Sequence, residues 1–114
     1  MPHDSETSAR ERRRYQRYAV RCKCWLEGDH ATLGASTADI GLGGLFLRTA
    51  IPVEHGTVVD VALDLADGQA PVIADGVVTR AVGRREQGRL GVGVEFVRIR
   101  DGRQTLINFL GAQA

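Results

Sequence analysis

Short segments in which apolar and polar residues alternate restrict most strongly how this chain can fold. Apolar residues occupy every second position from Val20 to Leu26, and the pattern returns from Val59 to Leu65. A period of two places the apolar side chains of a strand on one face. We therefore expect an antiparallel sheet that buries one face and leaves the other in water.

Six strands are expected along the sequence. Those beyond the two alternating segments are predicted at residues 31–40, 45–48, 72–82 and 90–96, with turns at residues 27–30, 41–44, 67–68 and a charged loop at 83–88. Near the C-terminus the pattern becomes helical, with Asp101 as the expected N-terminal cap and an apolar stripe formed by Leu106, Ile107, Phe109 and Leu110. We predict an all-β fold, a six-stranded antiparallel barrel with a C-terminal helix.

The length of 114 residues indicates one domain with a single core. Residues 1–11 are polar and are predicted to be a disordered arm, followed by the barrel domain at 12–110 and a tail at 111–114. No segment has the apolar length of a membrane span, and the first residues lack the apolar core of a signal peptide. We therefore predict a cytoplasmic protein without membrane insertion.

Positive charge is concentrated near the N-terminus, although the net charge of the chain is only +1. Residues 10–23 contain one acid, Glu11, and a series of cations: Arg10, Arg12, Arg13, Arg14, Arg17, Arg21 and Lys23. Such a patch favours an anionic partner, either a nucleotide, a nucleic acid or an acidic protein. Taken alone, a run of charge is also typical of a solvated arm.

The sequence gives no support for catalysis or for a metal site. Cys22 and Cys24 share a strand face, where we expect two small buried residues, and the histidines follow no ligand spacing. No G-x-S-x-G, Walker A or dinucleotide motif is present. Asp60 and Asp64 also share a face, but they alternate with core residues and are interpreted as solvent-facing. We predict that the chain is not an enzyme and has no cofactor.

Two short motifs flank the first predicted hairpin. Arg13 and Arg17 form an R-x-x-x-R pattern, and the second predicted strand leads into Asp39-Ile40-Gly41-Leu42-Gly43-Gly44. A helical turn would place the two arginines on one face, whereas an extended arm would let each reach separately. By itself the glycine segment is also typical of a turn whose glycines adopt positive φ.

Together these motifs resemble those of the PilZ domain, the bacterial receptor module for cyclic di-GMP. That family carries R-x-x-x-R on a loop before its barrel and [D/N]-x-S-x-x-G on the barrel surface. Arg13 and Arg17 match the first motif, and Asp39 and Gly44 match the second, while Gly41 stands in the position of the serine. The resemblance covers roughly residues 12 to 110 and implies the PilZ-type barrel.

The resemblance implies a cyclic di-GMP site formed by Arg12, Arg13, Arg17, Asp39, Gly41, Gly43 and Gly44. Arginine pairs with phosphate oxygens or with the O6/N7 edge of guanine. A carboxylate can accept hydrogen bonds from guanine N1–H and N2–H₂, and glycine lets the backbone come close to a ligand. Because no effector domain is recognised, the signal is expected to pass to an unidentified effector protein.

Two alternatives stay open at this point. One is a degenerate PilZ adaptor that binds no nucleotide, because the missing serine hydroxyl removes a hydrogen bond to a charged group worth about 1.5 to 3 kcal/mol. The other is a nucleic-acid binder that uses the arginine arm. Nucleic acid is the less favoured partner because aromatic residues, which would stack on bases, make up only 5% of the chain.

Overall fold

The computed structural model describes residues 15–29, 31–65, 68–86 and 89–113. Within these ranges there are one helix, α1 (Arg103–Gly111), and six strands: β1 (Lys23–Glu27), β2 (Thr32–Ile40), β3 (Gly44–Arg48), β4 (Val58–Asp64), β5 (Val72–Glu86) and β6 (Arg89–Asp101). Neighbouring strands are antiparallel and close into a barrel in the order β1-β2-β3-β6-β5-β4. The predicted fold class is confirmed.

The alternating segments form the barrel core as predicted. Along β4 the inward side chains of Val59, Val61 and Leu63 are at most 4% exposed, whereas Asp60 between them faces solvent. Cys22 and Cys24 are free thiols on the same buried face. Burial is the main cause that raises the pKa of the Cys24 thiol to about 12.

Helix α1 covers one end of the barrel, where Leu106 and Leu110 enter the core. The prediction that Asp101 caps this helix was wrong, because Asp101 is the last residue of β6. Gly102 occupies the N-cap with a φ of 86° and makes no side-chain cap hydrogen bond. Glycine tolerates this left-handed backbone, which lets the chain turn sharply from strand to helix. The opposite end of the barrel is formed by the β1–β2 turn and the loop between β3 and β4.

The prediction of a charged loop at residues 83–88 was also wrong, because most of this segment belongs to strands. β5 continues to Glu86, which pairs with Arg89 at the start of β6. Backbone pairing can continue through polar sequence, because the hydrogen bonds of the ladder join main-chain groups. The predicted bend near Gly76 coincides with a register shift between Asp75 and Gly76.

Candidate functional site

Arg17 and Asp39 form an ion pair on the barrel surface. Nη1 of Arg17 donates to Oδ1 of Asp39 at 2.6 Å. The Arg17 side chain is 40% exposed and that of Asp39 is 18% exposed, so solvent reaches the pair mainly from the arginine side. One residue from each sequence motif is thus brought into direct contact.

Backbone pairing holds residues 15–18, the described part of the arginine-rich arm that precedes β1, against the end of β2. Tyr18 and Ile40 form an isolated antiparallel bridge, in which the N–H of each donates to the carbonyl oxygen of the other at 2.9 Å. Residues 15–17 precede this bridge and have no regular secondary structure. Arg17 therefore reaches Asp39 from an irregular segment, not from a helical turn.

A β-bulge in β2 turns Asp39 outward. The register against β3 shifts between Thr37, which pairs with Leu47, and Asp39, which pairs with Phe46. Thr37 and Ile40 are both fully buried although they are three positions apart. The extra residue breaks the alternation, so two half-buried residues, Ala38 and Asp39, lie between the inward-facing Thr37 and Ile40.

From inside the barrel, Thr37 binds the backbone of the residues that lead into β1. Its hydroxyl donates to the carbonyl oxygen of Val20 at 2.7 Å and accepts from the N–H of Cys22 at 2.9 Å. Two backbone groups are thereby satisfied by a side chain that is itself fully buried. Sequence reasoning missed this residue, since a single threonine among small strand residues is a weak signal.

The glycine turn is closed by a hydrogen bond from the N–H of Gly41 to the carbonyl oxygen of Gly44 at 2.8 Å. The glycines with positive φ in the described ranges are Gly56, Gly68 and Gly102. The interpretation that the motif glycines supply positive φ was therefore wrong.

The motif glycines instead make room for neighbouring chain. A β-carbon on Gly44 would overlap the carbonyl oxygen of Val94 on β6. A β-carbon on Gly43 would lie 2.9 Å from Cδ2 of Tyr15, and one on Gly41 would lie 2.8 Å from the carbonyl oxygen of Gln16. The absence of side chains at these positions lets the arm lie directly on the turn.

A pocket of about 220 Å³ opens beside Gly43. The N–H of Phe96 donates to the carbonyl oxygen of Gly43 at 2.8 Å and holds the turn against β6. The lining of the pocket includes the aromatic residues Tyr15 and Phe96, the cations Arg98 and Arg103, and the acid Glu95. Aromatic faces and guanidinium groups are suited to flat bases and to anions. Sequence reasoning missed the β6 and α1 residues, because only the folded barrel places them beside the turn.

The structure brings five of the predicted site residues close together, namely Arg17, Asp39, Gly41, Gly43 and Gly44, of which Gly41 and Gly44 are buried. Arg12, Arg13 and the predicted disordered arm at residues 1–11 lie outside the described residues. Within the described ranges no group of three or more His, Cys, Asp or Glu side chains could hold a metal ion. No helix among the described residues has the length and apolar character needed to cross a membrane.

A comparison with protein families decides the relationship of this barrel to known domains. The model of the PilZ domain matches residues 11–112. This chain belongs to the PilZ domain family. The resemblance inferred from the two motifs is confirmed, and membership supports a receptor or adaptor role in cyclic di-GMP signalling. PilZ domains are in general not catalysts. A search of curated proteins found no match.

Three solved structures share the PilZ fold with this chain. The motility inhibitor MotI (DgrA) of Bacillus subtilis is 17% identical with a TM-score of 0.68, over 86% of this chain and 48% of MotI, so this chain spans about half of MotI. The PilZ domain of YcgR from Escherichia coli, solved with c-di-GMP, is 18% identical with a TM-score of 0.66, over 90% of this chain and 91% of that domain. The PilZ domain of CeSA from a cellulose synthesizing bacterium is 17% identical with a TM-score of 0.62, over 87% and 99% respectively.

Proposed function

We propose that this PilZ domain binds cyclic di-GMP on the surface formed by Arg17, Asp39 and the glycine turn, and relays the bound state to a separate protein. The Arg17–Asp39 ion pair carries the proposal. It joins a cation and a carboxylate from the two family motifs next to a pocket with aromatic and basic walls. Cyclic di-GMP offers complementary groups, namely phosphates for arginine and a guanine edge for the carboxylate.

The ligand has to open this ion pair. A surface ion pair contributes about 0 to 1 kcal/mol, so opening the Arg17–Asp39 pair costs little. A phosphate or the edge of guanine can replace it with two parallel hydrogen bonds to Arg17. The Asp39 carboxylate then accepts hydrogen bonds from guanine N1–H and N2–H₂.

The arm supplies the remaining contacts in this proposal. Gly41 offers no hydroxyl, and the place of a side chain there is taken by the Gln16 carbonyl group. Arg12 and Arg13 precede Arg17 by five and four positions, so rearrangement of the arm brings further guanidinium groups to the same ligand. A change in the position of the arm is the signal that a partner protein reads.

Two of the solved relatives are consistent with this proposal. The YcgR domain was solved with c-di-GMP, and its match covers nearly all of both chains. MotI is named as an inhibitor of motility. Both similarities support the fold on which the proposal rests, and the motif residues of this chain supply the chemistry.

Calorimetric titration with cyclic di-GMP tests the proposal. We expect the wild-type chain to bind and Arg17→Ala to weaken binding at least tenfold, about 1.4 kcal/mol. Arg48→Ala is the matched control, because Arg48 is exposed at the far end of β3, four residues beyond Gly44. Absence of binding by a wild-type chain with a normal melting curve would contradict the proposal and favour the nucleotide-free adaptor.

A further inference from the structure

A second groove lies at the end of the barrel opposite to α1. It has a volume of about 800 Å³ and is bordered by the β1–β2 turn, the β3–β4 loop and the start of β4. Its floor is apolar and includes Leu26, Leu33, Val53 and Val59. This end therefore opens onto core residues, whereas α1 covers the other end.

The rim of the groove exposes large apolar side chains. Ile51 is 58% exposed and Val58 is 74% exposed, and both line the groove. Apolar side chains gathered around a concave surface mark a site of interaction, unlike apolar residues scattered singly over a surface.

The charge at the rim is negative. Among the side chains that the structure describes, the ionisable residues that line the groove are acids, namely Glu27, Asp29, Glu54 and Asp60. Asp60 contacts Arg100 at 3.4 Å, while Glu27, Asp29 and Glu54 form no ion pair with another residue of the described ranges. Because the whole chain has a net charge of +1, the acidic rim does not reflect overall acidity.

We propose that this groove binds an amphipathic segment of a partner protein in which lysines or arginines flank an apolar face. The apolar face would cover the floor and the rim residues Ile51 and Val58. The cations would meet the carboxylates of Glu27, Asp29 and Glu54, which steer a basic partner and repel an anionic one. Nucleic acids and anionic membrane surfaces are excluded as occupants by the same charges.

This inference does not depend on nucleotide binding. Asp39 lies near the end of β2, whereas the groove borders the turn that precedes Thr32 at its start. Titration without nucleotide therefore tests the groove alone, and its failure leaves the proposed cyclic di-GMP site unaffected.

Fluorescence anisotropy with a labelled Leu/Lys peptide of helical period tests the proposal. We expect Glu27→Gln/Glu54→Gln to weaken binding at least about fivefold at low salt. Asp64→Asn/Asp101→Asn is the matched control, because it removes the same charge near the α1 end of the barrel. There Asp64 lies opposite Lys23 and Asp101 lies opposite Ile73 on the neighbouring strands. Ile51→Ser/Val58→Thr tests the apolar part and should also weaken binding.

Several outcomes would overturn the proposal. The Leu/Lys peptide could fail to bind, a Leu/Glu peptide of the same pattern could bind equally well, or both charge variants could lose the same affinity for the Leu/Lys peptide. Each of these results would contradict the proposal. Backbone amide shifts in a peptide titration should change at residues 27–33 and 51–60, and changes confined to other strands would contradict the site. Sedimentation that shows a wild-type dimer, lost in the groove variants, would identify a second copy as the occupant instead. The comparison of the Leu/Lys and Leu/Glu peptides with wild-type protein tests the preference for a basic partner even if a variant does not fold.

Discussion

Arg17 Nη1 lies 2.6 Å from Asp39 Oδ1, so the two PilZ motifs of this chain partly neutralise each other. The pair holds the arginine and the carboxylate next to the glycine turn before any ligand arrives. An exposed pair is weak enough to open, and its geometry keeps both groups close to the place where the ligand is proposed to bind. Under the proposed function, the ion pair is a preorganised but exchangeable contact.

Asp39→Ala is expected to weaken cyclic di-GMP binding more than cyclic di-AMP binding. Adenine lacks the N1–H and N2–H₂ donors that the carboxylate would accept, so only the guanine ligand loses a charged hydrogen bond of about 1.5 to 3 kcal/mol. Parallel titrations of wild type and variant with both dinucleotides give the difference. An equal loss for both ligands would mean that Asp39 supports the turn and does not recognise the base.

Gly41→Ser is expected to separate two effects when it is compared with Gly41→Ala. A β-carbon at this position lies 2.8 Å from the Gln16 carbonyl oxygen, so both variants should displace the arm and lower the melting temperature alike. The hydroxyl alone should make the serine variant bind cyclic di-GMP more tightly than the alanine variant, by up to about 2 kcal/mol. Equal affinities of the two variants would show that this position makes no hydroxyl contact in this chain.

Thr37→Val is expected to lower the free energy of unfolding by about 1 to 3 kcal/mol, because it leaves the Val20 carbonyl group and the Cys22 N–H group without their hydroxyl partner. Urea unfolding measures the change. Thr37→Ser keeps the hydroxyl and serves as the control, with a smaller loss from the removed methyl group. Equal unfolding midpoints for valine and wild type would contradict the role assigned to this hydroxyl group.

The Cys24 thiol is expected to react with a disulfide reagent at pH 8 at least about tenfold more slowly in the folded chain than in the unfolded chain. Its pKa is raised from 9.0 to about 12, mainly because burial disfavours the thiolate, and the thiolate is the nucleophile. Reaction rates of the Cys22→Ala variant isolate Cys24.

The raised pKa of Cys24 also predicts how stability depends on pH. The free energy of unfolding should be unaffected below pH 9 and should fall as the pH rises from 9 towards 12, because the unfolded chain loses this proton first. Stability that rises with pH in this window would disagree with the assignment.

The strands and core could be predicted because they depend on a local pattern. Burial along β4 follows the alternation of its sequence, and Leu106 and Leu110 occupy the buried positions of the predicted helical stripe. Asp101 was misjudged as a cap because pairing with Ile73 extends β6 to that residue, and sequence spacing does not reveal this pairing.

The candidate site was predictable only in part. Asp39 and the glycine turn were found because they are contiguous in the sequence. Phe96 and Arg103 are far from them along the chain, and only closure of the barrel and docking of α1 place them in the same pocket. The role of the motif glycines was misread because close packing against Gln16, Tyr15 and Val94 is a property of the tertiary structure.

Strand β2 has a consequence for how its two ends can communicate. From Thr32, beside the acidic groove, to Asp39 the strand extends about 23 Å at 3.3 Å per residue, while electrostatic fields in physiological salt decay over about 8 Å. The phosphates of a bound dinucleotide would be electrically screened from Glu27 and Glu54. If the nucleotide influences a partner at the far end, it does so by displacing or stiffening the strand. Neutralising the acidic rim would then change the affinity of the partner for this chain, but would not change how that affinity responds to nucleotide.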